Sequence, residues 1–121
     1  MIAAPNTPRT VLERIARRLR GHAVLMIDEA YVDFAERDAL PLLAEGRGLD
    51  NVLILRTLSK GYSLAGLRFG YGLGHPKLIA TLDKVRDSYN TDALAQAAAT
   101  AALRSRDDAS VSWKRVREER A

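Results

Sequence analysis

Two uninterrupted apolar runs, Ala23-Val24-Leu25-Met26-Ile27 and Val52-Leu53-Ile54-Leu55, constrain this chain more than any other feature. Each is too short for a buried helix and shows no polar alternation, so each reads as a strand covered on both faces. A long connection separates them, which implies a parallel pair joined by a crossover. That crossover is expected to hold a helix near Leu40 to Ala44 and a turn at Gly46-Arg47-Gly48. Parallel strands end at the same edge of a sheet. The first run stops at Asp28-Glu29-Ala30-Tyr31 and the second at Arg56-Thr57-Leu58-Ser59-Lys60-Gly61, so Asp28 and Lys60 should emerge together. In open α/β sheets that carboxyl edge is where ligands bind.

Eight residues beyond Lys60, Arg68 opens another apolar segment after a turn containing Gly66, which can return a guanidinium to the same place. A lysine amine, the hydroxyls of Thr57 and Ser59 and an arginine suit a carbonyl compound that also carries a phosphate. An apolar run ending in Asp-Glu also describes the magnesium-binding strand of P-loop ATPases. That reading needs a Gly-rich loop ending in Gly-Lys followed by Ser or Thr, and no such motif occurs here.

The remaining elements follow from periodicity. Thr10 and Glu13 form a capping-box pattern ahead of Val11, Leu12, Ile15, Ala16 and Leu19, so a helix is predicted over 10–20, ended by Gly21. Phe69-Gly70-Tyr71-Gly72-Leu73-Gly74 alternates glycine with larger residues, a strand on which something packs closely. Pro76 opens a helix with an apolar face of Leu78, Ile79, Leu82 and Val85. Ser88-Tyr89-Asn90-Thr91 reads as a connecting turn. An alanine-rich helix over 92–103 should pack tightly on a neighbour, and a charged helix from Asp107 carries Ala109, Trp113 and Val116 on one stripe, with Trp113 as packing.

With 121 residues the chain suffices for one domain with a core. The net charge of +4 is spread over helical faces, as in Arg9, Arg14, Arg17, Arg18 and Arg20, which argues for solvated surfaces rather than a nucleic-acid site. No stretch has the roughly 18 apolar residues of a membrane helix, and the start MIAAPNTPRT lacks the pattern of a secretory signal. The absence of cysteine excludes disulfides and thiolate metal sites and fits a cytoplasmic protein. His22 and His75 have no partners at metal-ligand spacing, so no metal is assigned. Glu29, Asp33, Glu36 and Asp38 read as solvated acids on the crossover.

Asp28-Glu29-Ala30-Tyr31, Thr57-Leu58-Ser59-Lys60-Gly61 and Leu64-Ala65-Gly66-Leu67-Arg68-Phe69-Gly70 together resemble the large domain of the class I and II aminotransferases that use pyridoxal 5'-phosphate. The wording is nearest to the histidinol-phosphate aminotransferase branch. The resemblance implies an α/β fold, with residues 1–121 forming part of the cofactor-binding large domain of a fold-type I enzyme, a mostly parallel sheet flanked by helices. It implies that Lys60 forms the Schiff base with the cofactor aldehyde and moves the proton. Asp28 would pair with the pyridine nitrogen, and Tyr31 would donate to the phenolic oxygen. Thr57, Ser59 and Arg68 would hold the phosphate. Asn6 would stand where the family places an asparagine against the phenolic oxygen.

The family's usual Asn-Pro-Thr-Gly is replaced by Asn6-Thr7-Pro8-Arg9-Thr10, so the asparagine is shifted by one place or lost. The resemblance covers the middle of the family's large domain, truncated at both ends, so apolar sheet surface and unpaired edges are expected to favour association, and isolated catalysis is not expected. The implied reaction converts histidinol phosphate and 2-oxoglutarate to imidazole acetol phosphate and glutamate, in a homodimer. Aromatic amino acid aminotransferases and threonine-phosphate decarboxylases share the same cofactor residues. A non-catalytic binding or assembly fragment is the rival outside enzymology.

Overall fold

The computed structural model describes residues 2–3 and 7–120, with the side chains of 7–119. Among the described residues, four strands form one sheet in the order β1-β2-β3-β4. These are β1 (Ile2–Ala3), β2 (Leu25–Asp28), β3 (Val52–Thr57) and β4 (Gly70–Gly74). β1, β2 and β3 run parallel, with Leu25 beside Val52 and Asp28 beside Leu55, while β4 returns antiparallel to β3. The sheet is therefore mixed, and the fold is α/β as expected.

The helices are α1 (Arg9–Leu19), α2 (Pro76–Leu82), α3 (Ala93–Arg104) and α4 (Arg106–Arg120). Leu12 and Ala16 of α1 pack with Leu25, Ile27, Val52 and Ile54 on one face of the sheet, closed by Ala39, Leu42 and Leu49 of the crossover. Burying such side chains contributes roughly 1.5–3 kcal/mol each. Asn51 ties the layers at the other end of the strands, its side-chain amide donating to the Ala16 and Ala23 carbonyls.

Several expectations change in detail. Helix α1 starts at Arg9 behind Pro8, whose ring has no polar group to cap with, and the Glu13 carboxylate pairs with Arg17 and Arg47. The crossover segment Leu40–Leu43 is a 3-10 turn, where Pro41 lies at the helix start and the chain turns extended again at Ala44. Helix α2 ends at Leu82, so Val85 falls beyond it and is 80 % exposed. Arg86 knots that exit by donating to Asp83 and Asn90. His75, given no role from sequence, caps α2 by accepting the Lys77 N–H on Nδ1.

The close packing expected on β4 is supplied by β3. A side-chain carbon at Gly72 would meet Leu53 Cδ1 at 3.3 Å, and one at Gly74 would meet the Val52 carbonyl at 3.1 Å. In α3 the tight positions are Ala95 and Ala99, four residues apart and both buried. No described helix is long and apolar enough to cross a membrane.

Candidate functional site

Strand β2 ends at Asp28 and its parallel neighbour β3 at Thr57, so the two strands deliver their polar ends to one rim. The Glu29 N–H still donates to the Leu55 carbonyl, which carries the pairing one residue past Asp28. Asp28 is half-buried, and its Oδ1 accepts the Ala30 N–H at 3.0 Å. That bond fixes the carboxylate's direction and leaves Oδ2 available.

The chain next turns through Tyr31 into a 3-10 turn, Val32–Phe34. Opposite it lies Lys60, whose ammonium stands over the Tyr31 ring, 5.4 Å from the centre. Both side chains are exposed, so the amine is open to a reagent. At exposed sites such a contact contributes about 0.5–1 kcal/mol, enough to orient a lysine without trapping it.

Thr57 and Ser59 form the floor of the lysine loop. Thr57 Oγ1 accepts the Ser59 N–H at 3.1 Å and lies 3.0 Å from Ser59 Oγ and 3.1 Å from the Phe69 carbonyl. One hydroxyl proton cannot serve both oxygens. If the Phe69 carbonyl receives it, the Ser59 hydroxyl donates to Thr57 Oγ1; if Ser59 Oγ receives it, the Ser59 proton stays free for another acceptor. The Leu58 N–H also donates to Phe69, which draws Arg68 alongside the lysine loop.

Arg68 sits in the left-handed backbone region, at φ 54° and ψ 36°, which costs a non-glycine residue about 1–2 kcal/mol. Its guanidinium is exposed and donates to the Ala65 carbonyl at 3.0 Å. Arg68 thus lies at the expected place in the backbone, while its head is turned to its own turn. Asn6 lies outside the described residues.

Glu29, expected among the solvated acids of the crossover, is only 2 % exposed. Successive residues at a strand end point to opposite sides, so Asp28 faces the rim and Glu29 the interior. Glu29 Oε2 accepts from Arg56 Nε at 2.9 Å and Nη2 at 2.7 Å, and Oε1 accepts the Ala39 N–H. Asp38 adds a second, looser contact to Arg56 at 3.4 Å. Burial pulls the Arg56 pKa down, but the bonds and charge of Glu29 outweigh it and the guanidinium is held more strongly protonated. An arginine at the end of the next strand was the available signal.

Asp33, also expected to be solvated, is half-buried. Its carboxylate fills the space where a side chain at Gly61 would lie, so only glycine fits beside Lys60. Burial raises its pKa, against the opposing pull of Arg56 and Arg106. Glu36 is exposed as expected. Tyr89 and Asn90 lie in a connecting turn, with Tyr89 98 % exposed.

The rim thus brings together an amine beside a phenol, an outward carboxylate and two hydroxyls. The sequence profile of the aminotransferase class I and II family matches residues 5–121, and the chain belongs to that family. Among its relatives, histidinol-phosphate aminotransferase 1 of Trichormus variabilis is 54 % identical over 108 residues, which are 84 % of this chain and 29 % of that protein. The histidinol-phosphate aminotransferase of a Geobacter species is 47 % identical over 123 residues, or 97 % of this chain and 34 % of its own length. The crystal structure of histidinol-phosphate aminotransferase from Sinorhizobium meliloti in complex with pyridoxal-5'-phosphate matches at a TM-score of 0.75 and 34 % identity. That match covers 90 % of this chain and 32 % of the other. The chain spans about a third of the length of the relatives it matches.

Proposed function

We propose that this chain carries the lysine-bearing part of a pyridoxal 5'-phosphate site, in a transaminase acting on histidinol phosphate with 2-oxoglutarate as acceptor. The products would be imidazole acetol phosphate and glutamate. The observation that carries the reading is the placement of Asp28 and Lys60 at one end of adjacent parallel strands, with the Lys60 ammonium over the Tyr31 ring. The family and the named relatives support the same choice.

The donor set fits this cofactor. When bound, the cofactor supplies an aldehyde for the amine and an electron-withdrawing ring. In this proposal the Asp28 carboxylate holds a proton on the ring nitrogen, and its bond to the Ala30 N–H keeps it aimed. Tyr31 donates its phenolic proton to the oxygen beside the reacting carbon. Lys60 binds the aldehyde and, when released from it, moves a proton at the substrate α-carbon. The Ser59 hydroxyl, the Thr57 floor and the Arg68 guanidinium receive the phosphate, Arg68 by leaving the Ala65 carbonyl. Asn6 is proposed to approach the phenolic oxygen.

A homodimer and a cytoplasmic setting belong to the same proposal. The 121-residue chain alone is proposed to take the cofactor without completing the transfer, since it corresponds to about a third of each relative. The test is to incubate it with pyridoxal 5'-phosphate, reduce with borohydride and map the pyridoxyl group. Selective modification of Lys60, absent in Lys60→Ala, is the expected result. Equal modification of Lys77, Lys84 and Lys114 would overturn it.

A further inference from the structure

Helix α4 lies outside the sheet, yet two of its side chains, one turn apart, each reach a backbone carbonyl in a different site loop. Trp113 Nε1 donates to the Gly61 carbonyl at 2.6 Å, and Arg117 Nη1 donates to the Asp33 carbonyl at 3.0 Å. Gly61 directly follows Lys60, and Asp33 lies two residues after Tyr31. Trp113 is 5 % exposed, meets the Tyr62 ring edge-on at 5.2 Å and 78°, and has Arg106 5.9 Å from its ring centre. A buried indole N–H requires an acceptor, and here the acceptor belongs to the peptide next to the lysine.

The lysine loop needs an outside hold. It is closed by the Ser63 N–H donating to the Lys60 carbonyl and the Leu64 N–H donating to Leu58. Ser63 is a left-handed non-glycine residue at φ 55°, a conformation the loop keeps against its own preference. Across the gap, the Asp33 side chain occupies the space that a side-chain carbon at Gly61 would need. The turn carrying Tyr31 and the loop carrying Lys60 are thus pressed together and pinned from the same helix.

We propose that Trp113 is a positioning residue: by fixing the Gly61 carbonyl it sets the direction in which Lys60 presents its amine over Tyr31, while Arg117 fixes the opposing turn. The assignment rests on the cofactor reading above. It makes α4 part of the site through two backbone carbonyls of the site loops.

The test compares the chain with Trp113→Phe, which keeps a ring against Tyr62 but lacks the donor, and with Arg117→Met. Hydrogen exchange is measured without cofactor, and the site selectivity of borohydride-trapped pyridoxal 5'-phosphate is measured separately. A hydrogen bond of ordinary net strength corresponds to roughly threefold to tenfold. Trp113→Phe is therefore expected to speed exchange at Ser63 and Leu64 by that factor, leave Ile54 in β3 unchanged, and spread the label from Lys60 to the other lysines. Arg117→Met should instead speed Phe34 and Ala35, whose N–H groups close the opposing turn. Unchanged exchange at Ser63 and Leu64, or an equal rise through β2 and β3, would overturn the positioning role. Failure of the unsubstituted chain to label Lys60 selectively would reject the cofactor reading, while the exchange measurement still decides whether Trp113 holds the loop.

Discussion

Arg56 donates twice to Oε2 of Glu29, joining the end of β3 to the end of β2 directly beneath the rim that carries Asp28 and Lys60. Glu29 keeps only 1 % of its side chain exposed, so the pair is an internal strut. Removing one partner strands the other. Arg56→Met is expected to destabilise the chain by about 3–5 kcal/mol, the range for breaking a buried pair. Thermal or denaturant unfolding measures it. The double replacement Glu29→Leu with Arg56→Met should recover a large part of the loss, though not the Ala39 N–H bond that Glu29 also accepts.

Gly61 offers a second test in packing. Gly61→Ala places a methyl group against the Asp33 carboxylate, and overpacking of this kind costs about 1–3 kcal/mol. Asp33→Gly in the same chain should restore most of it, because the Asp33 Cβ itself lies 2.6 Å from the added carbon. A double-mutant cycle in urea reads the coupling, and additive losses would show that the two sites do not share the space.

Arg68 opposes stability to binding. Its left-handed backbone suits glycine, so Arg68→Gly is expected to stabilise by about 0.5–1 kcal/mol, strain relief less the added freedom of the unfolded chain. The same change removes the guanidinium proposed for the phosphate. The Lys60 labelling ratio of pyridoxal 5'-phosphate to pyridoxal should fall while the melting temperature rises. A ratio that does not move would separate Arg68 from the phosphate.

Two carboxyl groups should give pH dependences of opposite sign. The side-chain bonds from Arg17 hold the Glu13 pKa below its ordinary 4.5, so its contribution is present above that value and is lost as pH falls through the lowered one. Burial raises the Asp33 pKa above 3.8, so its contribution is greatest below 3.8 and is lost as pH rises through the raised value. Melting temperature against pH reads both. Glu13→Gln should flatten the acid limb, and Asp33→Asn should remove the decline above it.

The strands, their shared rim and the lysine loop were legible because continuous apolar runs have few structural solutions and each ended in distinctive polar residues. What escaped depended on side-chain partners far apart in sequence. Thr10 and Glu13 have the spacing of a helix cap, but Arg47, 34 residues from Glu13, competes for the carboxylate. Glu29 looked solvated because its partner Arg56 lies 27 residues away on the neighbouring strand. Val85 continued a helical stripe that the chain abandons at Leu82, where Thr81 and Leu82 carbonyls accept from Lys84 and Val85 in a tightened exit. Trp113 was read as packing, and burial bears that out. Its donation to Gly61 spans 52 residues and has no local signature.

The glycines of β4 carry a consequence for how this region can diverge. Leu53 Cδ1 lies 3.3 Å from where a side-chain carbon at Gly72 would sit, so residues 53 and 72 draw on one volume, while position 74 is closed by the Val52 carbonyl at 3.1 Å. Substitutions there should covary: a relative that gains a methyl at position 72 should carry a shorter side chain at 53. The strand presenting the lysine would then keep its distance from its antiparallel neighbour through compensating exchanges, and drift at either position alone would be selected against.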